Sequence, residues 1–289
     1  MARPREVETV ADEAAESGAE QPVLAAAERD ETSRLLAALA TPKGQEIVDA
    51  AAQLFVEKSY DATGLTELAS RIGMLKGSLY HYITTKDDLL FAIIDKVHQT
   101  SLANMVRWQP VDGSVHLKLR MFIKGHVAHF VENFTFASVF IHDFRSLSAA
   151  RRQVIVAERD VYDGYLRTLL RQGQAEGVVC PDLDAKSVSM GIFGMMNWMY
   201  RWYSPEGSIS PEALGDQFAD LILGGVVCEP RQHRTGHKRT LGSPLMPDHE
   251  ADLAHNVDQD VDLEQVLRAA QRAAVRATPG RPAQPKGVR

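Results

Sequence analysis

Residues 65–82 read LTELASRIGMLKGSLYHY, two short segments joined at Gly73. Leu68 in the first segment and Leu79 in the second are spaced to face a common core. Two short helices that meet at a glycine are typical of a helix-turn-helix. Once Leu79 is used for packing, Lys76 and its polar and phenolic neighbours must lie on the outside. The pattern therefore predicts a short second helix with an exposed polar side.

That exposed side suits a DNA groove. Lysine neutralises phosphate, while serine and tyrosine donate hydrogen bonds to phosphate oxygens or base edges. The alternative is that the aromatic side chains only pack, and for Tyr82, which precedes Ile83, the two interpretations have equal weight. For the segment as a whole, the residue types favour DNA reading.

The rest of the folded region also has helical periodicity. GQEIVDAAAQLFVEK (44–58) has one apolar stripe. Thr84 and Thr85 precede two aspartates in a pattern that caps a helix running from Lys86 towards Val106. No internal repeat and no alternating run of β-branched residues occurs, so the sequence predicts an all-α fold. Further helices are predicted at 113–133, 149–177, 184–203 and 211–227.

Composition divides the 289 residues into a folded region and two tails. The chain is 45% hydrophobic and 24% charged, which fits one or two globular domains. The tails lack a large-apolar period and are expected to be disordered, apart from a short helix near ETSRLLAALA (31–40) and an amphipathic pattern at 262–277. The expected organisation is a tail at 1–40, a helix-turn-helix DNA-binding domain at 41–100, a helical ligand-binding and dimerisation domain at 101–228, and a tail at 229–289.

Charge and cysteine content exclude several classes of protein. The net charge is −6, so the whole molecule is not a basic protein that coats nucleic acid. Cys180 and Cys228 form neither a disulfide framework nor a zinc-ligand pattern, which predicts a reducing, cytoplasmic setting. The most apolar stretch, 191–203, is shorter than the roughly 20 residues of a membrane span, so no membrane association is expected.

The segment 43–100 resembles the DNA-binding domain of the TetR family of bacterial repressors. The resemblance rests on the helix with Phe55, on YDATGLTELASRIG (60–73), on LKGSLYHY (75–82) and on TKDDLL (85–90). It implies an N-terminal three-helix DNA-binding domain, a helical ligand-binding and dimerisation domain, a homodimer and no enzymatic activity. It places these residues at operator DNA, with Thr63 and Lys86 at phosphates: Thr63, Gly64, Leu75, Lys76, Gly77, Ser78, Tyr80, His81, Tyr82 and Lys86.

Three positions depart from the family pattern. Gly64 stands where Thr or Ser is usual, so an N-cap remains possible without a side-chain phosphate contact. Leu75 replaces a common Ser and offers an apolar contact, for example to a thymine methyl group. Ile83 replaces the usual Phe and keeps an apolar anchor. Residues 43–100 carry six basic and eight acidic side chains, so specificity is expected from two half-sites read by a dimer.

The second domain is rich in aromatic and methionine side chains, which line adaptable apolar pockets or form an ordinary core. Trp198, Arg201 and Trp202 share a helix face, so an arginine between indoles could pair with a carboxylate or phosphate. NWMYRWY (197–203) is similar to TetR-type repressors of fatty-acid and steroid-ring degradation, which implies an acyl-CoA effector. An equal alternative for Arg201 is a dimer or loop contact. The predicted ligand-binding residues are Phe122, His126, His129, Phe130, Phe140, Phe144, Arg145, Met195, Trp198, Met199, Arg201 and Trp202.

The family resemblance also implies a dimer interface of four helices. It further implies that a ligand bound between the C-terminal helices shifts the helix that begins at Lys86, and that the dimer then leaves the DNA. The predicted interface residues are Met190, Phe193, Gly194, Leu214, Phe218, Leu221 and Ile222. No cofactor is expected besides the effector. One alternative is an architectural DNA-binding protein without an effector. A more distant one is a helical metal enzyme that uses His126, His129 and His142, although no acidic residue completes a ligand set.

Overall fold

The structure is a computed structural model, and it describes residues 26–108, 112–227 and 265, 268, 269 and 271. These residues confirm the all-α fold class. The helices are α1 Ala26–Leu39, α2 Pro42–Lys58, α3 Leu65–Arg71, α4 Lys76–Leu79, α5 Lys86–Trp108, α6 Val115–Glu132, α7 Phe134–Asp143, α8 Ala149–Ala175, α9 Ala185–Asn197 and α10 Pro211–Val226, with 3₁₀ turns at Phe144–Ser146 and Trp198–Arg201. No helix in these ranges is long and apolar enough to cross a membrane.

Side-chain caps fix where several helices begin. Thr41 accepts a hydrogen bond from the Gly44 amide at 3.1 Å, and Pro42 occupies the first turn of α2. At α5 the cap comes from Asp88, whose Oδ2 accepts hydrogen bonds from the amides of Thr84 at 2.6 Å and Thr85 at 2.8 Å. The predicted start of α5 is thus present, with the carboxylate as the capping group.

Two buried cores organise the described residues. The head core joins α2, α3, α4 and the first half of α5 to α7 and the start of α8, and includes Leu79, Phe91 and Phe144. The body core joins the end of α5 to α6, α8, α9 and α10, and includes Phe122 and Met196. The sequence predicts a DNA-binding domain that ends at residue 100. The head core instead recruits side chains from 139–155, because α7 packs on both α5 and α2.

Helix α1 overlaps the short helix expected near residues 31–40 and begins earlier, at Ala26. Leu39 is buried, and Leu35 and Leu36 pack against the head core. The junction with α2 is tight: a Cβ on Gly44 would lie 2.6 Å from the Ala38 carbonyl oxygen, so glycine is required there. Three leucines within five residues give α1 an apolar face that the head core covers.

The remaining tail expectations fall largely outside the described residues. Residues 1–25 and most of 229–289 lie outside them. Positions 265, 268, 269 and 271 are helical, within the segment 262–277 where an amphipathic helix was expected.

Helix α8 connects the two cores. It has 27 residues, which at about 1.5 Å per residue gives a length of about 40 Å. Ile155 near its start belongs to the head core, whereas Tyr162, Tyr165 and Leu169 belong to the body core. A displacement of α8 in one core would therefore also move the side chains that α8 places in the other core.

Candidate DNA-binding face and effector core

The helix-turn-helix is formed by α3, Gly73 and α4. Gly73 has a φ of 63°, the left-handed conformation that glycine adopts without strain. Leu68 and Leu79 are buried in the common core, as their spacing predicts. Helix α4 is shorter than expected: it ends at Leu79, and the chain continues as a tight turn in which the Tyr82 amide donates to the Leu79 carbonyl at 2.9 Å.

Weak local helix propensity permits the turn after Leu79. Gly77, Tyr80 and His81 all have weak helix propensity, so a one-turn helix gains little by extending. The turn still keeps most of the predicted DNA-reading side chains outside. Leu75 is 79% exposed and Tyr80 is 49% exposed. Exposed positions of this DNA-binding face are Gly64, Leu75, Lys76, Gly77, Tyr80 and His81, while Ser78 and Tyr82 are half-buried.

The Thr63 hydroxyl binds backbone carbonyl oxygens inside the chain. The side chain is buried, and its hydroxyl lies 2.9 Å from the Ser59 carbonyl oxygen and 3.3 Å from that of Leu54. The predicted phosphate contact of Thr63 would require this hydroxyl to leave both carbonyl oxygens. Gly64 caps α3 without a side-chain hydrogen bond, and a Cβ built there would meet nothing within 4 Å.

Lys86 also points inward. Its ammonium group donates to the carbonyl oxygens of Tyr60 at 2.8 Å, Thr63 at 3.2 Å and Asp61 at 3.4 Å. It also lies 4.2 Å from the centre of the Tyr60 ring. These contacts use all three N–H donors of a lysine. Lys86 thus fastens α5 to the loop before α3, and the predicted phosphate contact would have to replace at least one of these bonds.

Part of the predicted ligand set does come together, in the body core. His126 of α6 contacts Tyr162 of α8 (Nδ1 to hydroxyl, 3.1 Å) and Asn197 of α9 (Nε2 to Oδ1, 3.2 Å). The rings of Phe122 and Phe193 lie 6.0 Å apart, and both contact His126. We call this set the effector core; its other predicted members are Phe130, Met195 and Met199, while buried His129 lies beside Asn104 and Trp108.

Tyr162 belongs to the effector core but was not among the predicted ligand-binding residues. It lies on the apolar stripe of α8 with Tyr165, three residues further on, and this spacing was the available signal. Its phenol is the polar partner of His126, and burial raises its pKa above the usual range. The hydroxyl therefore remains protonated and can act as a hydrogen-bond donor.

Phe140, Phe144 and Arg145 do not belong to this site. Phe144 is buried in the head core and Phe140 packs against that core, where its ring lies 4.6 Å from that of His98. Arg145 is exposed. The aromatic residues between 121 and 145 therefore divide between two cores: Phe122, Phe130 and Phe134 pack in the body core, whereas Phe136, Phe140 and Phe144 pack in the head core, because α7 contributes to both.

The Trp198, Arg201 and Trp202 constellation is also rearranged. Helix α9 ends at Asn197 and a 3₁₀ turn follows, so the continuous helix expected over 184–203 is not formed. Trp198 is 57% exposed and Trp202 is 48% exposed, and Arg201 is exposed as well. Trp202 contacts Phe218 of α10 at 6.3 Å between ring centres. These three side chains lie on the surface and do not enter the effector core.

The predicted dimer residues separate into two groups. Leu214 and Ile222 are buried within the chain, because that side of α10 packs closely on α6. Met190 and Leu221 are exposed, the latter by 63%. Phe193 and Phe218 are half-buried, and a Cβ on Gly194 would meet nothing within 4 Å.

Three buried histidines, His98, His126 and His129, resist protonation. Burial lowers the pKa to about 3 at His98 and to about 4 at His126 and His129. In the unfolded chain each would titrate near 6.5, so below that pH the unfolded state binds protons that the native state does not. Stability is therefore lost as the pH falls from about 6.5 towards 4. Burial raises the pKa of Asp163 to about 6, which acts in the opposite direction.

Among the described residues, no group of three or more His, Cys, Asp or Glu side chains is arranged to hold a metal ion. His142 lies 3.0 Å from Asp143, outside the effector core. His126, His129 and His142 are therefore not brought together as a ligand set.

Comparisons with known proteins agree with this architecture. Residues 47–93 match the family described as bacterial regulatory proteins, tetR family. Residues 112–226 match the tetracyclin repressor-like C-terminal domain. Both matches lie within the described ranges, one on each side of the gap at 109–111.

Three similar proteins extend these matches. The HTH-type transcriptional repressor KstR2 of Mycobacterium tuberculosis is 28% identical over 197 residues, which is 64% of this chain and 92% of that protein. The structure of PfmR from Thermus thermophilus, a TetR family transcriptional regulator, shows 32% identity and a TM-score of 0.57, and covers 62% of this chain and 97% of that one. AibR in complex with isovaleryl coenzyme A and operator DNA shows the same fold, at 24% identity and a TM-score of 0.56 over 63% of this chain and 97% of AibR.

These matches include both halves of the described structure and nearly the whole of each similar protein. The matched families are regulatory proteins, which supports the expectation that the chain is not an enzyme. Three observations lead to the same conclusion: the exposed face of a helix-turn-helix, the helical second domain and the sequence similarity to known regulators. The chain belongs to the TetR family of bacterial DNA-binding transcriptional regulators.

Proposed function

We propose that the protein is a homodimeric repressor that an apolar, anionic effector releases from operator DNA. The observation that carries the proposal is the pairing of two sites in one chain. An exposed DNA-binding face is built on a buried helix-turn-helix, and a buried polar contact sits within an apolar core of the second domain.

For DNA, the supporting feature is the contrast between Leu79 and its neighbours. Leu79 is buried, while Lys76 and Tyr80 are exposed on the same short helix and turn. Lysine would contact phosphate, and the exposed Leu75 would contact an apolar base edge such as a thymine methyl group. In this proposal the Thr63 and Lys86 side chains support the face and do not touch DNA.

For the effector, the support is a donor and an acceptor inside an aromatic environment. The Tyr162 hydroxyl can donate, and neutral His126 can donate or accept, so together they suit a carbonyl oxygen. An acyl chain would replace side-chain contacts among Phe122, Phe193 and their neighbours. AibR, which shares this fold, is known with isovaleryl coenzyme A, and we infer an acyl-CoA thioester for this chain.

For the dimer, the support is exposed apolar surface on the last helices. Trp198, Trp202 and Leu221 are each about half exposed or more, and Met190 adds to this surface. Added Cβ atoms at Gly191, Gly194, Gly224 and Gly225 would meet nothing within 4 Å. Open glycine positions beside exposed aromatics allow helices of a second copy to approach closely.

The proposed release follows from these sites. A ligand that enters the effector core would separate α6, α8 and α9, and the displacement would reach α5 through its contacts with α6 and α8. In a dimer this would change the distance between the two α4 helices, which would no longer fit successive major grooves.

The test is a gel-shift titration with DNA from upstream of the protein's own gene, with and without short-chain, long-chain and steroid acyl-CoAs. Specific retardation that one thioester class abolishes supports the proposal, and Tyr162→Phe should then weaken release but not DNA binding. Specific binding that no thioester disturbs removes the effector assignment and favours a DNA-binding protein without an effector. If no sequence is bound, including sequences selected from a random library, the repressor proposal fails.

A further inference from the structure

Arg151 in the first turn of α8 reaches across to the start of α5. Its guanidinium pairs with the carboxylate of Asp88 and lies 3.2 Å from that of Asp87 (Nη1 to Oδ2). It also lies over the Phe91 ring, with Cζ 5.3 Å from the ring centre. The side chain of Arg151 is 20% exposed and that of Asp88 is 6% exposed, so the pair is largely shielded from water.

Asp88 also binds the segment that joins the turn after α4 to the start of α5. Its Oδ2 accepts hydrogen bonds from the amides of Thr84 and Thr85, while its Oδ1 meets Arg151. Burial alone would raise the pKa of Asp88, but the hydrogen bonds from the Thr85 amide, Arg151 and the Thr84 amide lower it overall. This carboxylate therefore links Thr84 and Thr85, which join the turn after α4 to α5, with the first turn of α8.

Asp87 serves the other helix. Its Oδ1 accepts a hydrogen bond from the amide of Ser148, the residue that precedes α8, at 3.2 Å. The N-termini of α5 and α8, both positive ends of helix dipoles, thus share the Asp87–Asp88 pair. An arginine in the first turn of a helix is unfavourable towards that helix's own dipole. The position of Arg151 therefore calls for a tertiary role, and the two carboxylates supply it.

Helix α8 carries this contact into the body core. Tyr162, the partner of His126, lies eleven residues beyond Arg151, about 16 Å along the same helix. No break interrupts α8 between the two positions. A shift of α8 at the effector core would consequently move Arg151 relative to Asp88.

We propose that Arg151 is a positioning residue that holds the turn after α4 in its DNA-reading conformation, through Asp88 and Asp87. The second domain uses this latch to fix the DNA-binding face, and the latch opens when α8 moves relative to α5. The inference rests on the proposed function, because it assigns a route by which the second domain governs the DNA-binding face.

Hydrogen exchange of the full-length, DNA-free protein tests the latch directly. Arg151→Gln removes the charge, and Arg152→Gln makes the same change one residue along, on a half-buried side chain that forms no ion pair with the described residues. Exchange at the Thr84 and Thr85 amides should accelerate about tenfold in Arg151→Gln, the factor that corresponds to about 1.4 kcal/mol. Exchange in α2 should not change, and Arg152→Gln should match the wild type.

Arg151→Lys provides the graded control. Lysine keeps the charge but lacks the planar fork that can address two carboxylates, so its exchange should lie between those of wild type and Arg151→Gln. Unchanged exchange at Thr84 and Thr85 in Arg151→Gln overturns the proposal. Equal acceleration in α2 and at the turn also overturns it, since that result indicates a general loss of stability.

DNA affinity supplies the second readout. With fragments that the wild type selects from a random-sequence library, Arg151→Gln should bind about tenfold more weakly than Arg152→Gln, with the same salt dependence. Faster exchange at the turn with unaltered affinity shows that the latch does not position the DNA-binding face, and overturns the proposal. If the wild type selects no sequence, the repressor function fails, whereas the exchange experiment still decides whether Arg151 restrains the turn.

Discussion

Replacing Lys86 with methionine distinguishes a structural lysine from a phosphate ligand. A hydrogen bond to a charged group contributes about 1.5–3 kcal/mol, and an exposed cation–π contact about 0.5–1 kcal/mol. Lys86 bonds three carbonyl oxygens and covers the Tyr60 ring, but it is only half-buried, so the lower end of these ranges applies. We expect Lys86→Met to lower the free energy of unfolding by about 2 kcal/mol.

Lys76→Met is the matched control, because Lys76 is exposed on the DNA-binding face. Urea denaturation should show little loss of stability for Lys76→Met, within about 0.5 kcal/mol. The logarithm of DNA affinity against that of salt concentration should become less steep by about 0.9 for each phosphate that the lysine no longer neutralises, hence by about 1.8 for a dimer. For Lys86→Met this slope should stay at the wild-type value. A stable Lys86→Met protein with a reduced slope would refute the inward role of Lys86.

Three further predictions concern pH, the cap of α3 and the dimer. Because three buried histidines outweigh Asp163, unfolding should take up about two protons between pH 6 and 5, and the free energy of unfolding should fall by about 3 kcal/mol over that pH unit; urea titrations at both pH values measure this, and His98→Phe should make the dependence shallower. Gly64→Ser should stabilise the protein by about 0.3 kcal/mol and add a phosphate donor, visible as a slightly higher melting temperature and tighter DNA binding; a lower melting temperature would contradict the open geometry at this position. Leu221→Glu should shift the protein to monomers in analytical ultracentrifugation, whereas Leu117→Glu, at an exposed leucine on α6, should not; equal behaviour of the two variants would remove the proposed dimer surface.

The helix-turn-helix could be predicted from sequence because its evidence is local. The buried or exposed state of Leu68, Leu79 and Lys76 follows from helical spacing and from one glycine turn. The length of α4 could not be predicted as well, since weak helix formers leave the choice between helix and turn to tertiary contacts. The inward direction of Lys86 depends on carbonyl groups about 25 residues away in the chain, and no local pattern reveals them.

The effector core was only partly predictable for a similar reason. Helical periodicity predicts that Phe122 and Phe144 are buried, but it does not predict which of the two cores each side chain joins. That assignment depends on the packing of α7 against α5 and α2. The end of α9 at Asn197 likewise moved Trp198 and Trp202 from an expected helix face to the surface, because a continuous apolar run gives no sign of a change to 3₁₀ geometry.

The head core has a consequence for how such regulators can be recombined. Phe144 and Ile155 come from beyond residue 100, yet they are buried with the side chains of α2 to α5. A hybrid that grafts residues 41–100 onto the second half of another regulator would replace those two partners with side chains of a different shape. Grafts that also carry residues 134–155 should keep the interior complementary. The smallest portable DNA-reading unit of this protein is therefore discontinuous in sequence.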